Sequence, residues 1–144
     1  MPNSSADLPS KSEEPLFLTR AQVEALHDAS LAMFGGLAGI GDSGLIDSAL
    51  ASAQNAYFYG RGDVFDIAAA YAFHLAEAQA FMDGNKRTAV LAALSFLEGN
   101  GCYRTPDQNA LYNAMIDIAN KRLTKAGLAE IFRRQAQPQQ KPKL

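Results

Sequence analysis

Residues 64–97, VFDIAAAYAFHLAEAQAFMDGNKRTAVLAALSFL, hold two apolar segments that are separated by a short polar turn. Apolar residues at helical spacing predict one helix over about 64–82 and a second over about 85–97. The first segment is rich in alanine and apolar on more than one side, which is typical of a helix surrounded by other helices. The stretch therefore predicts a central pair of helices joined at Asp83-Gly84.

Shorter helical patterns lie on both sides of this pair. Thr19 with Gln22 forms a capping-box pattern, which predicts that a helix begins at residue 20 and ends before the Gly35-Gly36 pair. The pattern recurs at Thr105 and Gln108, with a proline at the first helical position. Helices are therefore predicted over 20–34 and 44–54, from about 106, and from about 125 after Thr124. No strand pattern of any length appears, so the predicted fold class is all-α, a compact helical bundle around the central pair.

The helical spacing also predicts which side chains face the core. The inward residues expected from it are Val23, Leu26, Leu31 and Phe34 in the first helix, and Leu111, Met115, Ile118 and Ala119 in the fifth. Apolar residues at helical spacing also mark the second helix, at Leu45, Ile46, Ala49, Leu50 and Ala53, and the last, at Leu128, Ile131 and Phe132.

Length, composition and charge limit the class of protein. The 144 residues suffice for one domain, expected over 16–135, between polar tails at 1–15 and 136–144 whose composition is typical of disorder. A net charge of −2 argues against binding nucleic acid through bulk electrostatics. The absence of a long apolar run or a secretory pattern predicts a cytoplasmic protein without membrane contact. The single cysteine, Cys102, rules out an intramolecular disulfide and is expected to be a buried apolar filler.

The polar turn carries the residues suited to chemistry. The first backbone N–H groups of a helix that begins there lack partners and attract anions, and Gly84 would let a ligand approach them closely. Lys86 and Arg87 add positive charge, and a guanidinium binds phosphate oxygens in bidentate fashion. Asp83 is a hard oxygen ligand suited to the Mg²⁺ that accompanies a nucleotide. A well-capped interhelical turn with solvated Lys86 and Arg87 explains the same residues equally well, so both interpretations stay open at this point.

Residues 81–89, FMDGNKRTA, resemble the signature H-x-F-x-(D/E)-G-N-(G/K)-R of the Fic/Doc (Fido) superfamily. They are most similar to its Doc-like, "death on curing" branch, which carries D-G-N-K-R-T-A. Residues 41–50, GDSGLIDSAL, and 96–101, FLEGNG, are also similar to segments of that family. The similarity runs from about residue 17 to about 134 and implies a Fido-type fold.

The resemblance implies roles for the residues of the turn. It implies that Asp83 positions Mg²⁺, that the turn formed by Gly84, Asn85 and Lys86 cradles the phosphates of ATP, and that Asn85 and Arg87 hold the transferred phosphoryl group. ATP and Mg²⁺ are accordingly the expected cofactors.

An aromatic segment upstream is a candidate for docking the target. Residues 54–62 place three aromatic residues between polar residues and glycines, which predicts a partly exposed loop or short hairpin. The segment resembles the flap of the family, which implies that Asn55, Tyr57, Phe58 and Arg61 contact the target protein. Local packing of Tyr57 and Phe58 is the alternative interpretation.

One catalytic position departs from the family signature. Where the signature has its histidine, the general base, this chain has Gln79, and a carboxamide does not take up a proton near neutral pH. The catalytic set implied by the resemblance is therefore Gln79, Asp83 and Arg87. His74 lies on a different face of the predicted helix and is interpreted as a packing residue. The spacing gives no position for His27.

Three functions are compatible with these residues. The first is a Doc-like toxin that transfers a phosphoryl group from ATP to a hydroxyl of a target, a translation factor by resemblance, with activity attenuated by Gln79. The second is a catalytically silent Fido domain that binds a nucleotide or a protein. The third, an AMP transferase, is disfavoured because Val90 stands where AMP-transferring relatives have a second arginine. No convincing internal inhibitory segment is present, so a small antitoxin-like partner is expected to cover the site.

Overall fold

The computed structural model describes residues 14–137 and contains six α-helices in that range. They are α1 (Arg20–Phe34), α2 (Ser43–Phe58), α3 (Val64–Ala78), α4 (Asn85–Gly99), α5 (Gln108–Ala119) and α6 (Lys125–Ala136). The extended structure within residues 14–137 is one isolated antiparallel bridge between Ile40 and Phe81. The predicted all-α class is therefore confirmed.

Helix α3 is the centre of the bundle and packs against α2, α4, α5 and α6. Its alanines at 68, 69, 70 and 72 are buried, and their small side chains let neighbouring helices approach closely. Tyr71 is also fully buried, and its hydroxyl accepts a hydrogen bond from the Leu18 N–H at 3.0 Å. Burial raises the pKa of this tyrosine to about 12. The prediction of a central pair formed by α3 and α4 is confirmed.

Helix boundaries differ from the prediction at three places. Helix α2 continues to Phe58 rather than residue 54, because no helix-breaking residue precedes Gly60. Helix α3 ends at Ala78 rather than near residue 82, because Gln79 adopts a left-handed conformation. Helix α5 begins at Gln108, because the Asp107 side chain accepts a hydrogen bond from the Ala110 N–H and acts as the N-cap in place of Thr105.

The helices bury a narrower stripe than their apolar residues predicted. In α1 the buried residues are Val23, His27 and Ser30, at spacings of four and three. Phe34, predicted to face the core, is 49 % exposed because it lies at the end of α1, beside the Gly35-Gly36 pair. Ala119, also predicted to face the core, is exposed, and so are Leu45 and Ile131, which are apolar residues at helical spacing in α2 and α6.

The ends of the described range are also defined by packing. Pro15 is buried, and the last residue of α6 is Ala136, so the predicted tails lie almost entirely outside the described residues. Cys102 is a free thiol in the core, and burial raises its pKa. None of the helices between residues 14 and 137 is both long enough and apolar enough to cross a bilayer.

Candidate phosphate-binding site

The site is built on the α3–α4 turn, residues 79–84. Gln79 opens it in the left-handed region, at φ 50° and ψ 46°, and Gly84 closes it at φ 77°. A left-handed conformation costs a non-glycine residue roughly 1–2 kcal/mol, so the surrounding structure must impose it on Gln79. The α1–α2 loop, residues 35–42, supplies part of this constraint. Its Gly41 N–H donates to the Ala80 carbonyl at 2.8 Å, and its Gly39 carbonyl accepts from the Met82 N–H at 3.0 Å.

Helix α4 begins without a side-chain cap. Within residues 14–137 the other five helices are each capped by a threonine or aspartate side chain. At α4 the N-cap is Gly84, and the first hydrogen bond of the helix runs from the Thr88 N–H to the Gly84 carbonyl. The N–H groups of residues 85–87 precede that bond and remain available at the positive end of the helix dipole. This helix end is therefore open to an anion.

The Asn85 side chain fixes the turn. Its Oδ1 accepts a hydrogen bond from the Phe81 N–H, and its Nδ2 donates one to the Phe81 carbonyl, both at 3.0 Å. The carboxamide is thus engaged with the backbone, and the Asn85 N–H is left at the open end of α4. Contact of Asn85 with the phosphoryl group, the role implied by the resemblance, stays a prediction.

Asp83 presents an exposed carboxylate at the tip of the turn. Its Oδ2 accepts from the Leu37 N–H at 3.1 Å and its Oδ1 from the Gly84 N–H at 2.9 Å. These two hydrogen bonds, with a smaller contribution from the charge of Arg87, lower the pKa of this carboxyl. A Cβ at Gly36 would lie 2.8 Å from Oδ2, so only glycine leaves room for the carboxylate there.

A single carboxylate fits the implied Mg²⁺. In nucleotide sites this ion is usually held by one or two carboxylates and completed by phosphate oxygens and water. Each Asp83 oxygen keeps a lone pair beyond the N–H it already accepts.

Arg87 is held between two aromatic rings. Its guanidinium carbon lies 4.7 Å from the ring centroid of Phe34 and 5.6 Å from that of Tyr112. Such cation–π contacts restrict the orientation of the guanidinium. Sequence reasoning did not identify Tyr112, although it lies three residues before Met115 and hence on a neighbouring part of the same helix face.

Three adjoining cavities surround the turn. The polar cavity, of about 280 Å³, is lined by Ala76, Gln79, Met82, Asp83, Gly84, Asn85, Lys86, Arg87 and Tyr112. The apolar cavity, of about 550 Å³, shares Ala76, Gln79 and Lys86 with it and adds side chains such as Phe73, Met115, Ile118 and Leu123. A third, of about 230 Å³, lies on the other side of Arg87 and Tyr112. The exposed Gln79 side chain therefore stands where the polar and apolar cavities meet.

The proposed flap residues lie elsewhere. Asn55, Tyr57 and Phe58 belong to the last turn of α2 and Arg61 follows it, so the predicted loop or hairpin is wrong for residues 54–58. Tyr57 and Phe58 pack on Phe17, with ring centroids 6.0 and 5.7 Å apart. At ~1.5 Å per residue, the 16 residues of α2 separate this end by roughly 24 Å from the end beside Ala80. The structure does not bring these four residues together with the α3–α4 turn.

The two histidines have different surroundings. His74, half-buried on α3, places its Nε2 3.1 Å from the Lys125 Nζ, and burial together with that charge lowers its pKa. His27 lies beneath the turn, with its Nε2 2.7 Å from the carbonyl oxygen of Asp83. Its place on the inner stripe of α1, four residues after Val23, is the sequence signal that would have located it.

Comparison with known proteins agrees with this geometry. The model of the Fic/DOC family matches residues 17–97. The chain therefore belongs to the Fic/Doc family, on its Doc-like branch, and the resemblance noted in the sequence is confirmed. It is 33 % identical over 111 residues to "Protein kinase doc" of Escherichia phage P1, an alignment that covers 76 % of this chain and 87 % of the relative. It is 42 % identical over 78 residues to "Toxin Doc" of Mycolicibacterium smegmatis, covering 51 % of this chain and 58 % of that protein.

Proposed function

We propose that this protein is a Doc-like toxin that binds ATP with Mg²⁺ and transfers a phosphoryl group to a hydroxyl of a target protein in the cytoplasm. The observation that carries the proposal is the uncapped N-terminus of α4, which opens onto the polar cavity between Lys86 and Arg87. The names of the two relatives, a protein kinase and a toxin, support the same activity.

The turn and the first residues of α4 share the binding of the nucleotide in this proposal. The N–H groups of residues 85–87 and the side chains of Lys86 and Arg87 would surround the phosphates, and Asp83 would hold the Mg²⁺. When bound, the metal supplies neutralisation of the charge that develops on the phosphates during transfer. Because transfer depends chiefly on positioning and electrostatics, these groups account for most of the expected rate enhancement.

Gln79 limits the rate of the proposed reaction. At the junction of the two cavities its carboxamide is placed to hydrogen-bond an acceptor hydroxyl, but it cannot take the proton. The loss of a general base lowers rates by ~10²–10⁴. The same residue supports the second candidate function, a domain that binds nucleotide without transferring any group.

The target and a small antitoxin-like protein are placed at the rim of the polar cavity in this proposal. Leu37, 66 % exposed, and Met82, 60 % exposed, flank Asp83 together with the exposed Ile40. Exposed apolar side chains around a charged cavity are typical of a protein-binding surface. An acidic side chain of the antitoxin-like partner would pair with Arg87 and compete with phosphate. We therefore propose this surface as the docking site for the target, in place of the aromatic C-terminal end of α2, which lies far from the turn.

Calorimetry with ATP and Mg²⁺ tests nucleotide binding. Arg87→Ala removes the bidentate contact and should weaken binding about 10- to 100-fold, which corresponds to the ~1.5–3 kcal/mol of a charged hydrogen bond. Arg134→Ala, which removes an exposed arginine on α6 paired with Glu130, should bind as wild type does. Equal affinity of the wild type and Arg87→Ala, or no binding by the wild type, would reject the site.

Labelled nucleotide separates the candidate reactions. Soluble protein of the host is incubated with Mg²⁺ and ATP labelled on either the γ- or the α-phosphoryl group, with the wild type and with Gln79→His. The proposal predicts transfer of the γ label, increased by ~10²-fold or more in the histidine variant. Transfer of the α label would indicate an AMP transferase. No transfer by either protein, with nucleotide binding retained, would indicate the silent domain.

A further inference from the structure

We infer that His27 is a positioning residue that holds the Asp83–Gly84 peptide in the orientation needed to bind an anion. The inference rests on the proposed function for its role in binding, but its geometry stands independently. His27 is 2 % exposed and lies on α1, 56 residues before Asp83 in the chain. It is neither part of the turn nor exposed to a ligand, so it would act through the backbone.

The contact of His27 with Asp83 fixes the protonation of one ring nitrogen. Its Nε2 lies 2.7 Å from the carbonyl oxygen of Asp83. A carbonyl oxygen only accepts hydrogen bonds, so Nε2 must carry a proton and donate it. The imidazole also stacks on the Phe81 ring, with centroids 3.9 Å apart and planes 12° from parallel. The stack therefore fixes the plane of the imidazole, and the hydrogen bond fixes the direction of its Nε2–H.

This hydrogen bond determines which end of a peptide dipole faces the site. In a trans peptide the C=O and the following N–H point in opposite directions. With the Asp83 carbonyl directed into the protein towards His27, the Gly84 N–H points outward, where it donates to the Asp83 carboxylate at 2.9 Å. The negative end of the dipole is thereby kept away from bound phosphate.

Removing the imidazole donor leaves the Asp83 carbonyl without its hydrogen-bond partner. Glycine permits both orientations of the preceding peptide, and Gly84 is already at φ 77°. A reversed peptide would direct the Asp83 carbonyl oxygen towards the polar cavity and repel an anion. The Asp83 carboxylate holds the N–H end of this peptide, and the Asn85 side chain hydrogen-bonds Phe81 instead. His27 therefore supplies the constraint on the carbonyl end of the Asp83–Gly84 peptide.

Two substitutions separate the donor from the ring. His27→Phe keeps the stack on Phe81 and removes the N–H, whereas His27→Gln restores a donor without the ring. Calorimetry with ATP and Mg²⁺ should show about a tenfold or greater loss of affinity in the phenylalanine variant and partial recovery in the glutamine variant. His74→Phe is the control, because His74 lies on α3 next to Lys125 and should leave affinity unchanged.

Two measurements test the inference without nucleotide. The ¹⁵N spectrum of the wild-type imidazole should show a protonated Nε2. Amide exchange at Gly84, whose N–H donates to the Asp83 carboxylate, should accelerate in His27→Phe, while exchange within α3 and from Thr88 onward in α4 stays as in wild type. Unchanged affinity in a folded His27→Phe, or a wild-type ring without a proton on Nε2, would overturn the inference. If the wild type fails to bind ATP, the proposed function falls, and the spectrum and the exchange rates still decide the role of His27.

Discussion

Helix α4 has a polar turn at each end, and at both ends an asparagine side chain binds the backbone. At the C-terminal turn, residues 99–102, backbone hydrogen bonds close the end of the helix. The Gly101 N–H donates to the Glu98 carbonyl and the Cys102 N–H to the Leu97 carbonyl, which is the Schellman arrangement. Asn100 is 5 % exposed. Its side chain accepts from the Leu16 N–H and donates to the carbonyls of Leu16 and Phe96.

The α3–α4 turn leaves its helix end unsatisfied. Asn85 also uses its whole carboxamide on the backbone, but the bonds it makes shape the turn and cap nothing in α4. Exposed Asp83 and half-buried Lys86 and Arg87 surround the free N–H groups. A polar turn between buried helices is structural where its hydrogen bonds satisfy the end of the helix. It is a candidate binding site where N–H groups of the helix end stay unpaired and rigid surroundings hold them in place.

The largest expected difference is between the alanine variants of the two asparagines, Asn100 and Asn85. Asn100→Ala removes three hydrogen bonds and should lower the free energy of unfolding by about 3 kcal/mol, at roughly 1 kcal/mol per bond. Affinity for ATP with Mg²⁺ should stay within about twofold of wild type. Urea denaturation and calorimetry measure the two quantities.

Asn85→Ala should show the reverse pattern. Its two hydrogen bonds are partly exposed, so we expect a loss of about 1 kcal/mol in stability. Affinity should fall at least about tenfold because the turn is no longer held. Asn113→Ala, on the exposed face of α5, controls for the loss of a carboxamide. Equal effects of Asn85→Ala and Asn100→Ala on stability and on affinity would remove the distinction between the two turns.

The glycines of the two turns allow a finer comparison. Gly84 and Gly101 have φ of 77° and 87°, so alanine at either position should cost roughly 1–2 kcal/mol of stability. A Cβ at Gly84 meets nothing closer than 3.7 Å, so strain rather than collision is the cause there. Thermal unfolding should show similar losses for both variants, and only Gly84→Ala should weaken nucleotide binding. Binding that weakens equally in Gly101→Ala would mean that the two ends of α4 are coupled.

The smallest expected effect on stability comes from substituting Asp63, the N-cap of α3, and it depends on pH. Burial alone would raise the pKa of Asp63, but hydrogen bonds from Arg133 and from the Asp66 N–H outweigh it, so the pKa lies below the ordinary 3.8. A carboxyl with a lowered pKa stabilises the fold above its unfolded pKa and loses that contribution as the pH falls through the folded one. Asp63→Asn keeps a good cap and removes the ion pair, so it should cost about 1 kcal/mol or less at neutral pH.

The pH series tests the sign of this effect. The stability difference between wild type and Asp63→Asn should shrink as the pH is lowered below about 4, which urea denaturation at several pH values measures. A difference that stays constant from neutral to acidic pH would show that the ionised carboxylate contributes nothing beyond its role as a cap.

Features that depend only on neighbouring residues could be predicted from the sequence. The capping box of Thr19 and Gln22 and the polar turn before Asn85 were both predicted, because each arises within about one helical turn. The tertiary structure decided what depends on distant contacts. The left-handed Gln79 is constrained beside the α1–α2 loop, and His27 reaches Asp83 across 56 residues. The aromatic end of α2 packs on Phe17, far from the turn. Local spacing carries no information about which helix ends meet, and packing alone decides that.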